Sequence, residues 1–300
     1  MSPGRPLRLG IVGCGRIAER GYAPAIAGLD AVELAAVADP FAERARLVAR
    51  AAAARPSISP GAAELIAGSG LDAVVVASPA ERHLADAELA AAAGLPCLVE
   101  KPPAPDGPGA KALARLHPAP WVGFNRRFQH ASEILDLIPG DVEIDTEIEL
   151  RYRRTAWSPH GELGDALQDL GPHVIDLALV ISGSPEVSVE AAAIGERSAE
   201  LELITVRGRA LLRCSIDRPH LERVKVRSSE GGLLASTGSG GLGANLAARL
   251  RRREHPLVDS LRRQLAAFAA AIAGTGNGLL ASAREGERVM AVIDDARARA

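Results

Sequence analysis

Three hundred residues is long for one ordinary domain and comfortable for two. A hydrophobic fraction of 47%, a charged fraction of 24% and a net charge of −2 fit a globular chain, with no electrostatic case for nucleic acid or an anionic membrane as partner. The cysteines Cys14, Cys97 and Cys214 are odd in number and lie at no metal-ligand spacing, so reduced thiols and no metal site are expected. There is no signal-peptide core and no apolar run of ~18 residues, so the protein is expected to be soluble and cytoplasmic, with no membrane span.

Up to about residue 120, apolar strands alternate with helical segments. Strands are predicted at Leu7–Val12, Val32–Ala38, Ala73–Ala77, Cys97–Glu100 and Trp121–Phe124. Helices are predicted at Ile17–Gly28, Phe41–Ala54, Ala62–Ala67, Ala80–Ala93 and Ala110–His117, all rich in good helix formers. This alternation predicts a doubly wound α/β sheet of parallel strands covered by helices on both faces. Gly94 suits a helix C-cap before the return into the strand at Cys97.

The pattern then changes. After a predicted helix at Arg126–Ile138, residues Val142–Tyr152 alternate apolar and acidic, the period of a strand with one dry and one wet face. A helix is predicted at Pro172–Ile181, then strands at Val187–Ile194, Glu200–Val206, Ala210–Ile216, Arg223–Val226 and Leu233–Ala235. The Gly- and Ser-rich stretch Ser236–Ala244 reads as a loop. Helices at Leu257–Ala273 and Ala281–Ala298 end the chain. Consecutive strands with short turns predict an α+β domain with a largely antiparallel sheet. The boundary is therefore placed near residue 120: a Rossmann domain over 1–120 and a second domain over 121–300.

Gly13-Cys14-Gly15-Arg16-Ile17-Ala18 has the form G-x-G-x-x-A between a strand and a helix. Gly13 would permit the tight turn, Gly15 the approach of a pyrophosphate, and Ala18 close helix–strand packing. The diphosphate would rest on the helix N-terminus; the alternative is a tight turn with no ligand. Asp39 ends the next strand, where a carboxylate accepts the ribose hydroxyls of NAD and repels the 2′-phosphate of NADP. Asp39 could instead be a turn residue before Pro40, and Arg44 could soften the preference. Ser78 and Pro79 follow another strand and should border the cofactor. His83, just beyond, reads more readily as a capping or packing residue than as a catalyst.

Glu100-Lys101-Pro102 closes the strand at Cys97, and ligands of open parallel sheets bind at the carboxyl ends of strands. Lys101 is therefore expected to face the cofactor and the substrate. The cofactor set is read as Gly13, Cys14, Gly15, Arg16, Ile17, Asp39, Ser78, Pro79, His83, Glu100 and Lys101. Asp169-Leu170-Gly171-Pro172-His173 is the second informative cluster. With Pro172 at the first helical position, His173 would sit in the first turn, where the helix dipole favours a neutral imidazole and Asp169 could orient it. The alternative is an N-cap aspartate followed by a surface histidine. Arg126 and Arg127 supply two cations near the domain junction, where either could bind substrate or cofactor; the alternative is a solvated helix start. Trp157 and His160 are candidates for a substrate pocket by sequence proximity alone.

Taken together these segments resemble the Gfo/Idh/MocA family, the glucose–fructose oxidoreductase and inositol dehydrogenase group. The resemblance rests on Gly10–Ala18, Ala38-Asp39, Ala73–Pro79 with His83, Gly94 through Glu100-Lys101-Pro102, Gly123–Phe128 and Asp169-x-Gly171-x-His173-x-x-Asp176. It implies a nucleotide-binding domain followed by a domain whose open sheet often mediates homo-oligomerisation. It also implies NAD-linked redox chemistry, with NADP possible, on a small-molecule sugar, cyclitol or related polyol. Lys101, Asp169 and His173 then take the family's catalytic positions, and the Lys101–Pro102 peptide is expected to be cis. The thinned glycines of Gly161-Glu162-Leu163-Gly164 depart from the family's pattern and bear on pocket shape. The expected reaction is interconversion of a secondary alcohol and a ketone, with His173 as general base and Lys101 stabilising charge on the substrate oxygen. Two alternatives share the cofactor site: glycoside cleavage through transient oxidation, and a non-catalytic dinucleotide sensor.

Overall fold

Strand β1 (Leu7–Val12) is almost wholly buried, as a strand in the middle of a sheet covered on both faces must be. In the computed structural model, which describes residues 5–68, 70–157, 164–183, 185–240 and 255–300, β1 pairs in parallel with β2 (Val32–Ala38) on one side and β4 (Ala73–Val76) on the other. Beyond β2 lies β3 (Ser57–Ser59), and beyond β4 lie β5 (Cys97–Glu100) and β6 (Trp121–Gly123). The order β6-β5-β4-β1-β2-β3 is that of a doubly wound nucleotide-binding sheet, and the connections change direction between β1 and β4. Helices α1 (Ala23–Ala27), α2 (Ala42–Ala51), α3 (Ala62–Gly68), α4 (Ala80–Ala92) and α5 (Gly107–Leu113) make the crossovers. A π-helical turn, Ala18–Tyr22, leads into α1. Between sheet and helices the core is small and tightly packed: Val74, Val76, Val99, Ala87, Ala90, Leu65 and Leu113 are all essentially inaccessible.

The second sheet has six strands in the order β12-β11-β7-β10-β9-β8. They are β7 (Ile144–Arg153), β8 (Val187–Ile194), β9 (Ser198–Thr205), β10 (Gly208–Ser215), β11 (Asp217–Ser228) and β12 (Leu233–Gly240). All pairs are antiparallel except β7 with β10, so the expected largely antiparallel sheet is present. The alternation read in β7 is a true face assignment. Ile144, Thr146, Ile148 and Leu150 are buried, while Glu147 and Glu149 lie on the other face among arginines of β10 and β11. Helix α6 (Ala166–Ser182) packs against β7, β9 and β10. Asp165 caps its N-terminus by accepting from Gln168 N, and Gly183 ends it at φ +63°.

Helix α6 begins earlier than the sequence reading placed it. Pro172 is inside the helix rather than at its first position, because Asp165 supplies a cap about two turns upstream and the whole segment is apolar enough to be buried. Other differences are smaller. β11 is longer than expected, residues 236–240 continue β12 instead of forming a loop, and residues 241–244 of that expected loop lie outside the described residues. The Gly and Ser content did not prevent pairing, because β11 supplies a complete backbone ladder to its edge partner. β3 was not anticipated at all.

The chain then returns through α7 (Pro256–Ile272) and α8 (Ala283–Arg299), with Ala281–Ser282 pairing antiparallel to β6. By compactness the chain divides into one unit of Met1–Asn125 and His255–Glu287 and another of Arg126–Glu254 and Arg288–Ala300. Sequence reading put α7 with the second domain, but its contacts are with the first unit. Phe268 meets Trp121 edge to face at 5.5 Å, and Asn125 Nδ2 donates to Ser260 Oγ at 3.0 Å. Among the described residues no helix is long and apolar enough to cross a membrane.

Phe268 is fully buried, so truncating it leaves a cavity beneath Trp121. Phe268→Ala is expected to destabilise the protein by about 3–5 kcal/mol, measured by urea unfolding followed through tryptophan fluorescence. A loss under about 1 kcal/mol would mean that α7 does not help to build the first unit's core.

Candidate active site

At the end of β1 the chain turns through Gly13 at φ +91°. A Cβ there would stand 2.4 Å from Ser78 N, so only glycine lets the turn rest directly on the main chain of the β4 loop. On Gly15, by contrast, a Cβ would meet nothing within 4 Å. That open side suits a turn that must admit a diphosphate. Asp39, buried at the end of β2, knits the same turn: its carboxylate accepts from Cys14 N at 2.9 Å and from Phe41 N at 2.8 Å. Both sequence readings of Asp39 are compatible with this, since a carboxylate has further lone pairs for ribose hydroxyls. Burial, then the Asp39 charge, push the Cys14 thiol up to about 12, so it packs and does not react. Arg16 is paired with Glu19 at 2.7 Å, and Ile17 stands just before the π-helical turn.

The β4 loop is tied in turn to the end of β5. His83, 1% exposed, places Nε2 2.8 Å from Ser78 O and Nδ1 3.0 Å from Pro102 O. Burial drives its pKa down against the pull of those carbonyls; the ring lies packed between the two loops, and when neutral it donates to one of the two carbonyls. Ser78 Oγ donates to Asp86, and Pro79 sits at the N-cap of α4. The Lys101–Pro102 peptide is cis. Glu100 faces inward: its carboxylate accepts from Tyr22 Oη at 2.6 Å and from Lys101 N at 3.1 Å. Gln264 Nε2 donates to the same Tyr22 hydroxyl at 3.1 Å. Burial first, then Glu100, raise the Tyr22 pKa, so the phenol stays a donor. Glu100 thus anchors the Lys101 peptide from beneath. Of the expected cofactor set, Gly13, Cys14, Asp39, Ser78, His83, Glu100 and Lys101 are linked by these contacts at the carboxyl ends of β1, β2, β4 and β5.

In the second unit, Asp169 is the hub. Its carboxylate accepts from Tyr152 Oη and from Arg154 Nη2 at 3.0 Å, and Arg154 Nη1 donates to Gly164 O at 2.7 Å. Burial, then the Asp169 charge, hold the Tyr152 phenol well above its usual range. His173 lies four residues on, on the same face of α6, and is 5% exposed. The expectation that it sits in the first helical turn is corrected: the helix starts at Ala166, so His173 is beyond the turn where the dipole acts. Trp157 ends a short helical turn, Arg154–Trp157, and is half-buried. His160 and Gly161-Glu162-Leu163 lie outside the described residues.

Arg126 and Arg127 are both engaged within the second unit. Arg127 Nε donates to the buried Asp176 at 2.9 Å, and Arg126 pairs with Glu222 at 2.6 Å while donating to Gln129. Glu222 also accepts from Gln129 at 2.6 Å and lies 2.8 Å from His130 Nε2. Arg126 is therefore not the unopposed cation that a substrate-binding role suggested.

Residues 7–118 match the model of the Gfo/Idh/MocA group, described as an oxidoreductase family with an NAD-binding Rossmann fold. The matched domain belongs to the Gfo/Idh/MocA family. It is 31% identical over 205 residues to a UDP-N-acetylglucosamine 3-dehydrogenase of Acidithiobacillus ferrooxidans, covering 66% of this chain and 62% of that one. It is 34% identical over 211 residues to an inositol 2-dehydrogenase of Acidothermus cellulolyticus, covering 67% and 60%. The matches thus span about six-tenths of these relatives' length. Among solved structures, scyllo-inositol dehydrogenase from Lactobacillus casei superposes with a TM-score of 0.75 at 16% identity, over 98% of this chain and 96% of that one. A 3-ketoreductase from Actinomadura kijaniata, solved with NADP and TDP-benzene, gives 0.73 at 19% identity over 98% of both. At these identities the likeness is one of fold.

Sequence reading missed Tyr22, Gln264, Tyr152 and Arg154. Tyr152 was the last member of the alternating run in β7, and its place at the strand end was the one available signal. Tyr22 and Gln264 depend on partners far away in sequence. Burial would raise the Glu222 carboxyl, but the Arg126 guanidinium, His130 and His220 outweigh it and hold the group at about 2 against an ordinary 4.5. Its stabilising contribution is complete above pH 4.5 and is lost as pH falls through 2, a gap worth about 3 kcal/mol. Urea midpoints of the wild type should fall steeply across that window, while those of Glu222→Gln, lower at neutral pH, change much less there. Parallel profiles for the two proteins would show that Glu222 is not the group responsible.

Proposed function

We propose that this protein is an NAD(P)-dependent dehydrogenase that interconverts a secondary alcohol and a ketone on a sugar, cyclitol or related polyol. The observation that carries the reading is the linked set at the strand ends. A glycine turn open at Gly15, a carboxylate at Asp39, and a lysine at the end of β5 are held in register through Ser78, His83 and the cis Lys101–Pro102 peptide. The residues fit a dinucleotide: the turn admits phosphates, and Asp39 stands where ribose hydroxyls are recognised. When bound, the nicotinamide supplies the hydride acceptor. The dehydrogenase names of the curated relatives support the same class.

In this proposal the Lys101 ammonium donates to the substrate oxygen and stabilises the negative charge that develops there. His173 removes the hydroxyl proton as general base and returns it in the reductive direction. Asp169, with Tyr152 and Arg154 already bonded to it, binds an adjacent substrate hydroxyl or orients the imidazole. Lys101→Ala and His173→Ala should each lower kcat by about 10²–10⁴ on a substrate found by screening polyols and sugars, with NADH formation as the readout. Affinity for NAD, followed by fluorescence, should survive His173→Ala. Near-wild-type turnover in either variant would remove that residue from the mechanism. Stoichiometric NADH marks net oxidation; product without NADH accumulation would instead favour cleavage through transient oxidation.

The proposal includes a preference for NAD. Asp39→Asn keeps an acceptor for Cys14 N but removes the charge facing a 2′-phosphate. The ratio of NADP to NAD affinity should therefore rise by about tenfold or more, a change of roughly 1.4 kcal/mol. An unchanged ratio would mean that Asp39 serves the turn alone.

A further inference from the structure

The geometry points to a phosphoryl-binding subsite in the second unit, beside Asp169. At one end of the six-stranded sheet three chain segments meet: the end of β7 at Arg153, the β10–β11 junction at Ile216 and Asp217, and the β8–β9 turn at Arg197. Backbone bonds fix them together. Arg154 N donates to Ile216 O at 2.8 Å, and Ile216 N donates to Arg197 O at 3.0 Å. The start of α6 is fastened to the same turn, since Ala166 N donates to Glu196 O at 3.0 Å. Between these segments lies an open cavity of about 350 Å³ lined by Arg153, Arg154, Thr155, Arg197, Ile216 and Asp217.

Three arginines therefore line this space against one aspartate. Three other arginines of the same sheet are neutralised across strands: Arg223 by Glu149 at 2.7 Å, Arg213 by Glu200 at 2.8 Å and Arg209 by Glu202 at 3.1 Å. Arg154 is likewise held by Asp169. Arg153 and Arg197 form no ion pair among the described residues, although both line the cavity. Like charges gathered around one space repel one another, and an anion in that space relieves the repulsion. The guanidinium fork matches phosphate oxygens in paired hydrogen bonds, which a lysine does not reproduce. The volume is at the small end for a ligand site, suited to a substituent of the substrate and too small for a second dinucleotide. Asp217, already accepting from Ser215 Oγ at 2.8 Å, can take a neighbouring hydroxyl. Arg154 joins the cavity to Asp169, so a phosphoryl group seated there sits next to the carboxylate assigned to the reacting sugar. The subsite rests on that assignment and narrows the substrate to a sugar or cyclitol carrying a phosphate or diphosphate.

Calorimetric titration of the full chain tests it, because binding is read without turnover and the outcome is separate from that of the redox proposal. Inorganic phosphate, pyrophosphate, uridine diphosphate and glucuronate are titrated at constant ionic strength into the wild type and into R153Q/R197Q. The difference between the two proteins isolates this cavity from the glycine turn, and an unchanged urea midpoint shows that the variant is folded. Pyrophosphate or uridine diphosphate should bind the wild type saturably and the variant about tenfold or more weakly, the size expected of charge-assisted bonds. Phosphate binding as well as the diphosphates would point to a monoester substrate, and tighter diphosphates to a diphosphate. Equal affinity in both proteins, no saturable binding beyond that of chloride, or a preference for glucuronate over every phosphate would each overturn the assignment.

Discussion

The contact on which the candidate cofactor face depends is one between two backbones. Because β1 and β4 are adjacent and parallel, their carboxyl ends deliver Gly13 and Ser78 to the same place, with no room for a Cβ between them. A side chain at position 13 could be fitted only by pushing the β4 loop outward. That loop carries the carbonyl held by His83, and the same ring reaches the carbonyl of Pro102. The position of Lys101 is thus inherited, through one histidine, from the absence of a side chain at the glycine turn. Asp39 closes the arrangement from the other side by bonding Cys14 N.

Buried ions divide by what surrounds them. Glu100, Asp176 and Glu222 are nearly inaccessible and are each supplied with donors: Tyr22 and the Lys101 amide, Arg127, and Arg126 with His130 and Gln129. Removing one partner of such a pair leaves a buried charge uncompensated, typically at a cost of about 3–5 kcal/mol, so these groups are bound to structural duty. This is why Arg126, attractive in the sequence as a cation near the domain junction, is a poor candidate for holding substrate. Asp39 and Asp169 differ because their partners are main-chain N–H groups or residues at strand ends, where a ligand can still compete for lone pairs.

What the sequence disclosed follows the range of the forces involved. The glycine turn, the strand end at Asp39 and the Glu100-Lys101-Pro102 closure were legible because each is set within a few residues by turn sterics and apolar patterning. The parallel and antiparallel halves were legible from the change of period at Val142. The start of α6 was not, since Pro172 is a strong local signal and Asp165 a weaker one, and burial of the whole segment decided between them. The place of α7 was hidden for a different reason. Its apolar stripe announces a buried face but does not say against what, and Trp121 and Tyr22 are more than a hundred residues away.

The corrected register of α6 changes the chemistry available to His173. In the first turn, unpaired backbone N–H groups would have opposed an imidazolium; from its actual position that influence has decayed. One helical turn back on the same face stands Asp169, whose carboxylate already accepts from Tyr152 and Arg154, and three residues on stands Asp176, held by Arg127. Burial and the Asp169 charge keep Tyr152 protonated, so the phenol donates to the carboxylate and does not compete with it as a base. In the proposed reaction the second unit offers an imidazole for proton transfer and a carboxylate whose orientation is fixed by two donors, while the dinucleotide is assigned to the first. A division of this kind lets the substrate surface around β7 and the β8–β9 turn vary without disturbing the glycine turn. A shared fold can then serve the different sugars and cyclitols named among its relatives.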